Sequence, residues 1–499
     1  MPLAKEPEPS PRADAGDRAL WLRVAVWLVP FAILGTLLVR LYPDSYQQDG
    51  GYHFLFARFA FAHPQNLVNV WGRPLFTALY AVPARLGYPV AKLFTVLVSL
   101  GAAATTAQLA RQHGLKRAEL AVPLLFSQPS FLLLSSETMT EPLFALVLGG
   151  ALWLNCAGRF RASLWAASLL PLVRPEGFFV ALLFGAVIAL DRRAGPTLFS
   201  RVLSTARLAA GLAAWWLLAL LLTRDPLFIL HNWPRNWDIS ASKATGSLLQ
   251  YFLVRDELLA GPVLEALFVL GLFALLAARR ALFPLAALGL VAGLHSVFFR
   301  FGLFGSAGYA RYLVCVSPAM ALATLCGFEV VAGFARNAPR GLTRAATALV
   351  LLWAAGRCLS YVDGFGSSRD ARAVSDAYAW FLSHPRPVSR LVFSQAYMAI
   401  AFGRDPAERP RLGADRAGNM ELLRSCPPGT LVFWDAHTGP RFHGIGPEDI
   451  ERAGYERFFE RSYALRPIFA FLHPSDESYT QVLSFYYKPE VKAEKEGRE

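Results

Sequence analysis

Four short stretches of this 499-residue chain gather side chains that could move a proton or hold an anion. The first is Gln47-Gln48-Asp49-Gly50-Gly51. A carboxylate such as Asp49 can take a proton from an attacking hydroxyl, and the glycines after it permit close backbone approach. The competing reading is an Asp that caps the helix beginning beside it. The second stretch, Ser136–Pro142, carries Glu137 and Glu141, four residues apart and so on one face of a helix. They read equally as boundary residues ahead of an apolar run. The third is Arg174-Pro175-Glu176-Gly177. An arginine there can grip a phosphate bidentately, or pair with Glu176 and fix the turn. The fourth, Gly308–Tyr312, sets Arg311 between Tyr309 and Tyr312; its alternative is an arginine snorkelling to an interface. His53, Arg73 and His231 add polar groups, although a lone histidine is more often structural than catalytic. No phosphate loop, dinucleotide fingerprint, zinc-protease, serine-hydrolase or dithiol motif occurs. The five cysteines, Cys156, Cys315, Cys326, Cys358 and Cys426, show no metal or redox spacing. No cofactor is implied, and no metal site.

The elements that must position these residues are apolar. Hydrophobic residues make up 55% of the chain and charged ones 17%, against about a quarter charged in soluble proteins. Apolar runs near 19–41, 88–110, 119–134, 141–157, 162–173, 176–190, 208–223, 261–278, 281–299, 312–334 and 343–358 have about the length that crosses a bilayer core. The expected fold is a polytopic α-helical membrane protein of about eleven transmembrane helices, followed by a small C-terminal soluble α/β domain. The net charge is +13, yet residues 359–499 hold 18 Lys/Arg against 19 Asp/Glu. The basic excess therefore lies in the membrane body. It sits in short loops such as Arg111–Arg117, Arg159–Arg161, Arg192–Arg207 and Arg279–Arg280, which argues for cytoplasmic connections rather than nucleic-acid binding. The alternate loops carry Asp44, Asp49, Glu137, Glu141, Glu176, Asp225, Asp238, Asp256 and Glu257. This alternation puts the N-terminus in the cytoplasm and the acidic loops outside.

The expected organisation is a cytoplasmic N-terminal tail (1–18) and a transmembrane body (19–358) with outer loops 43–87 and 224–260. An extracytoplasmic α/β domain (359–489) and a charged, disordered end (490–499) follow. No cleavable leader is expected at the start. Tyr52–Phe61 is aromatic and too short to span, which suits an amphipathic helix in the membrane interface. In the tail, Ser389–Ser394, Thr430–Trp434, Pro467–Leu472 and Val482–Tyr487 read as strands. Helical patterns fall near 371–383 and 447–461.

The ordered set of motifs resembles the GT-C superfamily of membrane glycosyltransferases, which includes protein O-mannosyltransferases, GPI-anchor mannosyltransferases, aminoarabinose transferases and bacterial relatives. The resemblance runs through Asp49 in QQDGGYH, GRPLF (Gly72–Phe76), Pro129–Leu146, RPEGFF (Arg174–Phe179), Ala310–Leu322 and GTLVFWD (Gly429–Asp435), and covers most of the chain. It implies a monosaccharide donor on a polyprenyl phosphate, such as undecaprenyl or dolichyl phosphate, with the lipid in a groove between spans and the phosphate at the outer rim. Asp49 becomes the general base, and Arg174 and Arg311 the phosphate ligands. His53, Arg73, Glu137, Glu141, Glu176, His231, Tyr309 and Tyr312 become candidates for substrate contact. Many members carry an acidic pair in the first outer loop. Here the other acid is Asp44, five residues before Asp49, so metal independence is the expectation. The acceptor, a glycan, lipid or protein, is not identified by any motif.

Two other functions compete. An O-antigen ligase or polymerase would use a diphosphate-linked glycan with outer-loop Arg and His. A transporter or flippase would show internal repeats and charges at mid-membrane; no repeat is evident, and the acids lie at one rim. The Ala/Leu/Arg-rich composition points to a bacterial inner membrane. A reporter that is active only outside the cytoplasm, fused after Glu499, is expected to be active, and the same reporter at the N-terminus inactive. The reverse result would overturn the charge-based orientation.

Overall fold

The computed structural model describes residues 11–43, 48–233, 245–304, 306–334, 339–364, 367–405, 412–413, 415–465, 468 and 479–490. The chain is a polytopic helical membrane protein with a small C-terminal sheet domain. Among the described residues, six helices are long and apolar enough to cross a membrane: Ala19–Leu41, Tyr88–Gln112, Leu198–Thr223, Leu282–Phe301, Ala310–Phe334 and Gly341–Gly364. Four shorter apolar helices, Glu141–Cys156, Phe160–Val173, Glu176–Leu190 and Pro262–Ala277, accompany them. The expected span at 119–134 is broken. Helix Ala121–Phe126 stops at Ser127, Gln128 is extended, and Pro129 opens Pro129–Leu134. Proline lacks an N–H and disfavours a helical residue before it, so the run cannot continue as one helix. Both pieces are fully buried.

The chain divides into two compact units. The first comprises 1–40, 68–76 and 92–362. Helices Pro262–Ala277 and Ser317–Phe334 pack closely within it. A Cβ on Gly271 would lie 1.8 Å from the Ala323 carbonyl oxygen, and one on Gly327 would lie 1.9 Å from that of Leu267. Small residues let helix backbones touch where lipid supplies no hydrophobic drive. A smaller cluster gathers Val68, Val70, Leu172, Trp215 and Ala219, with the Trp215 indole N–H donating to the Val68 carbonyl at 2.9 Å.

The second unit comprises 41–67, 77–91 and 363–499. Its sheet has the order β1 (Arg390–Phe393), β2 (Thr430–Asp435), β4 (Tyr479–Tyr487), β3 (Glu456–Leu465). The β1–β2 pair is parallel and the other two pairs are antiparallel. All six residues of β2 are buried, as suits a central strand with both faces covered. Val432 and Trp434 face a core with Leu423, Ile445, Ile450 and Tyr486. Phe433 meets Phe485 and Phe402 on the other side.

The expected helical pattern at 447–461 is corrected. The helix ends at Arg452 and a strand starts at Glu456. Gly454 at φ +90 turns the chain out of the helix in a conformation that a side chain disfavours. The expected strand Pro467–Leu472 lies outside the described residues apart from Ile468. The aromatic segment after Asp49 forms a helix at Gln48–Arg58 rather than Tyr52–Phe61. Most of its residues are buried, against the expected interfacial position. It packs on helix Ala396–Ala401 of the tail, and Phe54 meets Tyr88 with ring centroids 4.6 Å apart. His63 and Asp405, 2.7 Å apart, tie the same loop to the tail.

Gly271→Leu and Gly327→Leu are each expected to lose about 3 kcal/mol or more, since the obstacle is backbone rather than a flexible side chain. Gly289→Leu, at an exposed position with nothing within 4 Å of its added Cβ, is the control. Thermal unfolding in detergent reads the difference, and equal melting of all three variants would refute the close approach.

Candidate functional site

The residues Leu170-Pro171-Leu172-Val173-Arg174-Pro175-Glu176-Gly177 build the centre of the first unit. Pro171 sits in the first turn of the short helix Leu170–Val173. Pro175 forces the residue before it out of the helical region, and Arg174 is extended at φ −155, ψ 151. The next helix, Glu176–Leu190, starts one residue after Pro175. Gly177 is required there, because a Cβ would lie 2.2–2.5 Å from the Leu170 and Pro171 backbone. The sequence thus folds back on itself and directs one guanidinium and one carboxylate to the same place.

Arg174 is held on three sides. Its Nη2 donates to Glu176 Oε1 at 2.9 Å and its Nε to Glu176 Oε2 at 3.3 Å. Its Nη1 lies 2.7 Å from Glu141 Oε1 and donates to the Thr140 hydroxyl at 3.1 Å. His295, from the helix Leu282–Phe301, reaches the same Glu176 oxygen through Nε2 at 2.7 Å. Glu141 is fully buried, and Arg174, Glu176 and His295 are nearly so. Of the two readings open for Arg174, the ion pair with Glu176 is present, and it is bidentate. Geometry of this kind repays the desolvation of buried charges.

The Tyr312 ring joins this cluster to Arg311. It stacks on His295 at 4.5 Å and 18°. The Arg174 and Arg311 guanidinium carbons lie 5.8 and 5.6 Å from its centroid. Arg311 is also 5.2 Å from the half-exposed Tyr309 ring. Such contacts favour a cation over a ring face. The structure therefore brings together Glu141, Arg174, Glu176, Arg311, Tyr309 and Tyr312 among the sequence candidates.

Glu137 forms a separate pair with Lys92, Nζ to Oε1 at 3.0 Å, and Lys92 is completely buried. His231 lies on an exposed turn and bonds to Asp225 at 2.8 Å. That imidazole, with the Leu227 N–H, holds the Asp225 carboxyl below its ordinary range. Arg73 is buried at φ 61, an uncommon conformation outside glycine. It donates to the Val70 carbonyl at 3.0 Å and lies over Trp71. In the second unit, Asp49 occupies the first turn of helix Gln48–Arg58, where a negative charge suits the helix dipole. Buried His53 follows four residues later on the same face. Asp44 lies outside the described residues. Among the described residues, no group of three His, Cys, Asp or Glu side chains could hold a metal ion.

Sequence reasoning missed Lys92, His295 and Tyr251. The first two had a usable signal, since each is an ionisable residue within an apolar run (PVAKLFTV and VAGLHSVF), where burial is expensive.

No protein-family model and no curated protein matches the chain. Among solved structures it is similar to ArnT from Cupriavidus metallidurans in the apo state. The identity is 13%, the match covers 92% of this chain and 98% of that one, and the TM-score is 0.61. It is also similar to ArnT from the same organism bound to undecaprenyl phosphate, with 14% identity, 92% and 97% coverage and a TM-score of 0.62. The chain has the GT-C membrane fold.

Arg174→Ala is expected to lose about 3–5 kcal/mol, because it leaves two buried carboxylates without their shared partner. Arg174→Lys keeps the charge without the fork and should fall between. Thermal unfolding of purified protein measures both. An Ala variant as stable as wild type would show that the cluster does not hold the body together.

Proposed function

We propose that this chain is a membrane glycosyltransferase. It moves a monosaccharide from a polyprenyl-phosphate donor to an acceptor hydroxyl at the extracytoplasmic rim of a bacterial inner membrane. The observation that carries the proposal is a buried cluster of charged and aromatic side chains, assembled on broken helices, within a GT-C fold. Support for the donor class comes from ArnT, which has been solved with undecaprenyl phosphate bound.

In the proposed reaction, the Asp49 carboxylate accepts the proton of the acceptor hydroxyl. The oxygen attacks the anomeric carbon, and the bond from that carbon to the phosphate oxygen breaks. The electron pair leaves with the polyprenyl phosphate. Negative charge grows on the phosphate as this happens, and fixed positive groups stabilise it. Arg311, with Tyr309 and Tyr312 at its flanks, is the arginine assigned to that charge. Arg174 acts on it through the cluster: its fork is bound to Glu141 and Glu176, so it supplies a fixed field and a rigid frame. Glu137, Glu141, Glu176, His53, Arg73 and His231 remain candidates for contacts to sugar or acceptor.

The test is transfer of labelled sugar from undecaprenyl-phosphate monosaccharides in membranes. Asp49→Ala and Asp49→Asn at equal expression are expected to lose about 10²–10⁴-fold in rate, the contribution typical of a general base. Full activity in either variant removes Asp49 from the mechanism. Turnover with diphosphate-linked oligosaccharide alone would replace the donor class. Substrate uptake into proteoliposomes without a covalent product would replace the enzyme reading.

A further inference from the structure

Two buried polar atoms beside the Arg174 cluster have no hydrogen-bond partner among the described residues: His295 Nδ1 and the Tyr251 hydroxyl. His295 is 5% exposed and Tyr251 9%. Native interiors leave few such atoms unsatisfied, and each one calls for an explanation.

The two residues sit on adjoining elements. The short helix Gln250–Leu253, which carries Tyr251, packs on Leu282–Phe301, which carries His295. Gln250 Nε2 donates to the Gly308 carbonyl at 3.2 Å, tying that helix to the segment that leads into Tyr312. Tyr312 in turn stacks on His295. Burial raises the Tyr251 phenol above its ordinary pKa, so it stays a neutral hydroxyl.

The chemistry of the pair follows from its neighbours. His295 Nε2 faces a carboxylate oxygen, which only accepts, so Nε2 carries the ring proton. Nδ1 is then the ring nitrogen left for a further partner. The Tyr251 hydroxyl both donates and accepts. Buried polar atoms of this kind match the hydroxyls of a sugar, which both donate and accept.

We infer that His295 Nδ1 and the Tyr251 hydroxyl form a subsite that recognises hydroxyl groups on the sugar of the lipid-linked donor. The inference rests on the glycosyl-transfer reading above and names two residues that contact the transferred sugar.

The experiment compares binding of undecaprenyl phosphate with binding of undecaprenyl-phosphoryl mannose, glucose and aminoarabinose to the full-length purified protein. Tyr251→Phe removes one unpartnered hydroxyl. Its expected signature is a melting temperature equal to or above wild type, with undecaprenyl phosphate bound as before. The best-bound sugar lipid should bind about tenfold more weakly, as for one lost hydrogen bond. His295→Gln keeps a donor for Glu176 while losing Nδ1, and should show the same selective loss. Unchanged binding of every sugar lipid in both variants overturns the subsite and leaves a buried water as the occupant. Equal weakening with and without sugar overturns it too, because the contact is then to the phosphate or the fold. A wild-type protein that binds none of these lipids overturns the donor class itself, and the subsite with it.

Discussion

The structure depends on how charge is kept inside an apolar body. Two carboxylates and a guanidinium are each costly to remove from water, and their attraction offsets that cost only in good geometry. Arg174 meets the condition by engaging all three guanidinium nitrogens. The helix breaks make this possible. Pro175 holds Arg174 extended, and the missing side chain of Gly177 lets the next helix start against the previous one. A continuous helix would place Arg174 and Glu176 about 200° apart around its axis, on different faces. The break places them on one ion pair.

Around that pair the body uses rings and small residues where a soluble protein would use water. Tyr312 shares its ring between two arginines and an imidazole. Gly271 and Gly327 bring two helices to backbone contact, which limits how far the helix following Arg311 can shift. The second unit follows different rules. Its sheet is built around a fully buried central strand, and the unit takes in the helix that carries Asp49 together with the rest of 41–67 and 77–91. That helix packs on tail residues, so the conformation around Asp49 depends on the sheet domain being folded.

Much of this was legible in the sequence because bilayer length and loop charge are read residue by residue. The apolar runs appear as helices, and Asp49, Arg174, Glu176 and Arg311 stood out as polar residues at breaks. The ion pair at Arg174 was one of two readings, since a two-residue spacing does not say which way the backbone turns. What stayed hidden is long-range. His295 meets Glu176 from 119 residues away, and nothing local to either residue names the other. Lys92 meets Glu137 from 45 residues away in the same manner. The helical pattern at 447–461 failed because a single glycine at 454 overrides the periodicity around it. The aromatic segment after Asp49 was assigned to lipid because its hydrophobicity alone cannot tell a membrane surface from the surface of a folded domain.

The spacing of the cluster along the chain also bears on how the protein is made. Glu141, Arg174 and Glu176 lie within 36 positions of one another, so they leave the ribosome close together and can neutralise one another while the early helices are being inserted. His295 and Tyr312 are synthesised more than a hundred residues later. Until they arrive, Glu176 lacks its His295 partner and Arg174 lacks the Tyr312 ring. The early segment also has backbone groups freed at Pro129, Pro171 and Pro175 that lipid cannot satisfy. The first half of the body is therefore an incomplete assembly that must be held by the insertion machinery or by water. The late helices close it, so truncation before Leu282 would leave a product for degradation rather than a smaller membrane protein.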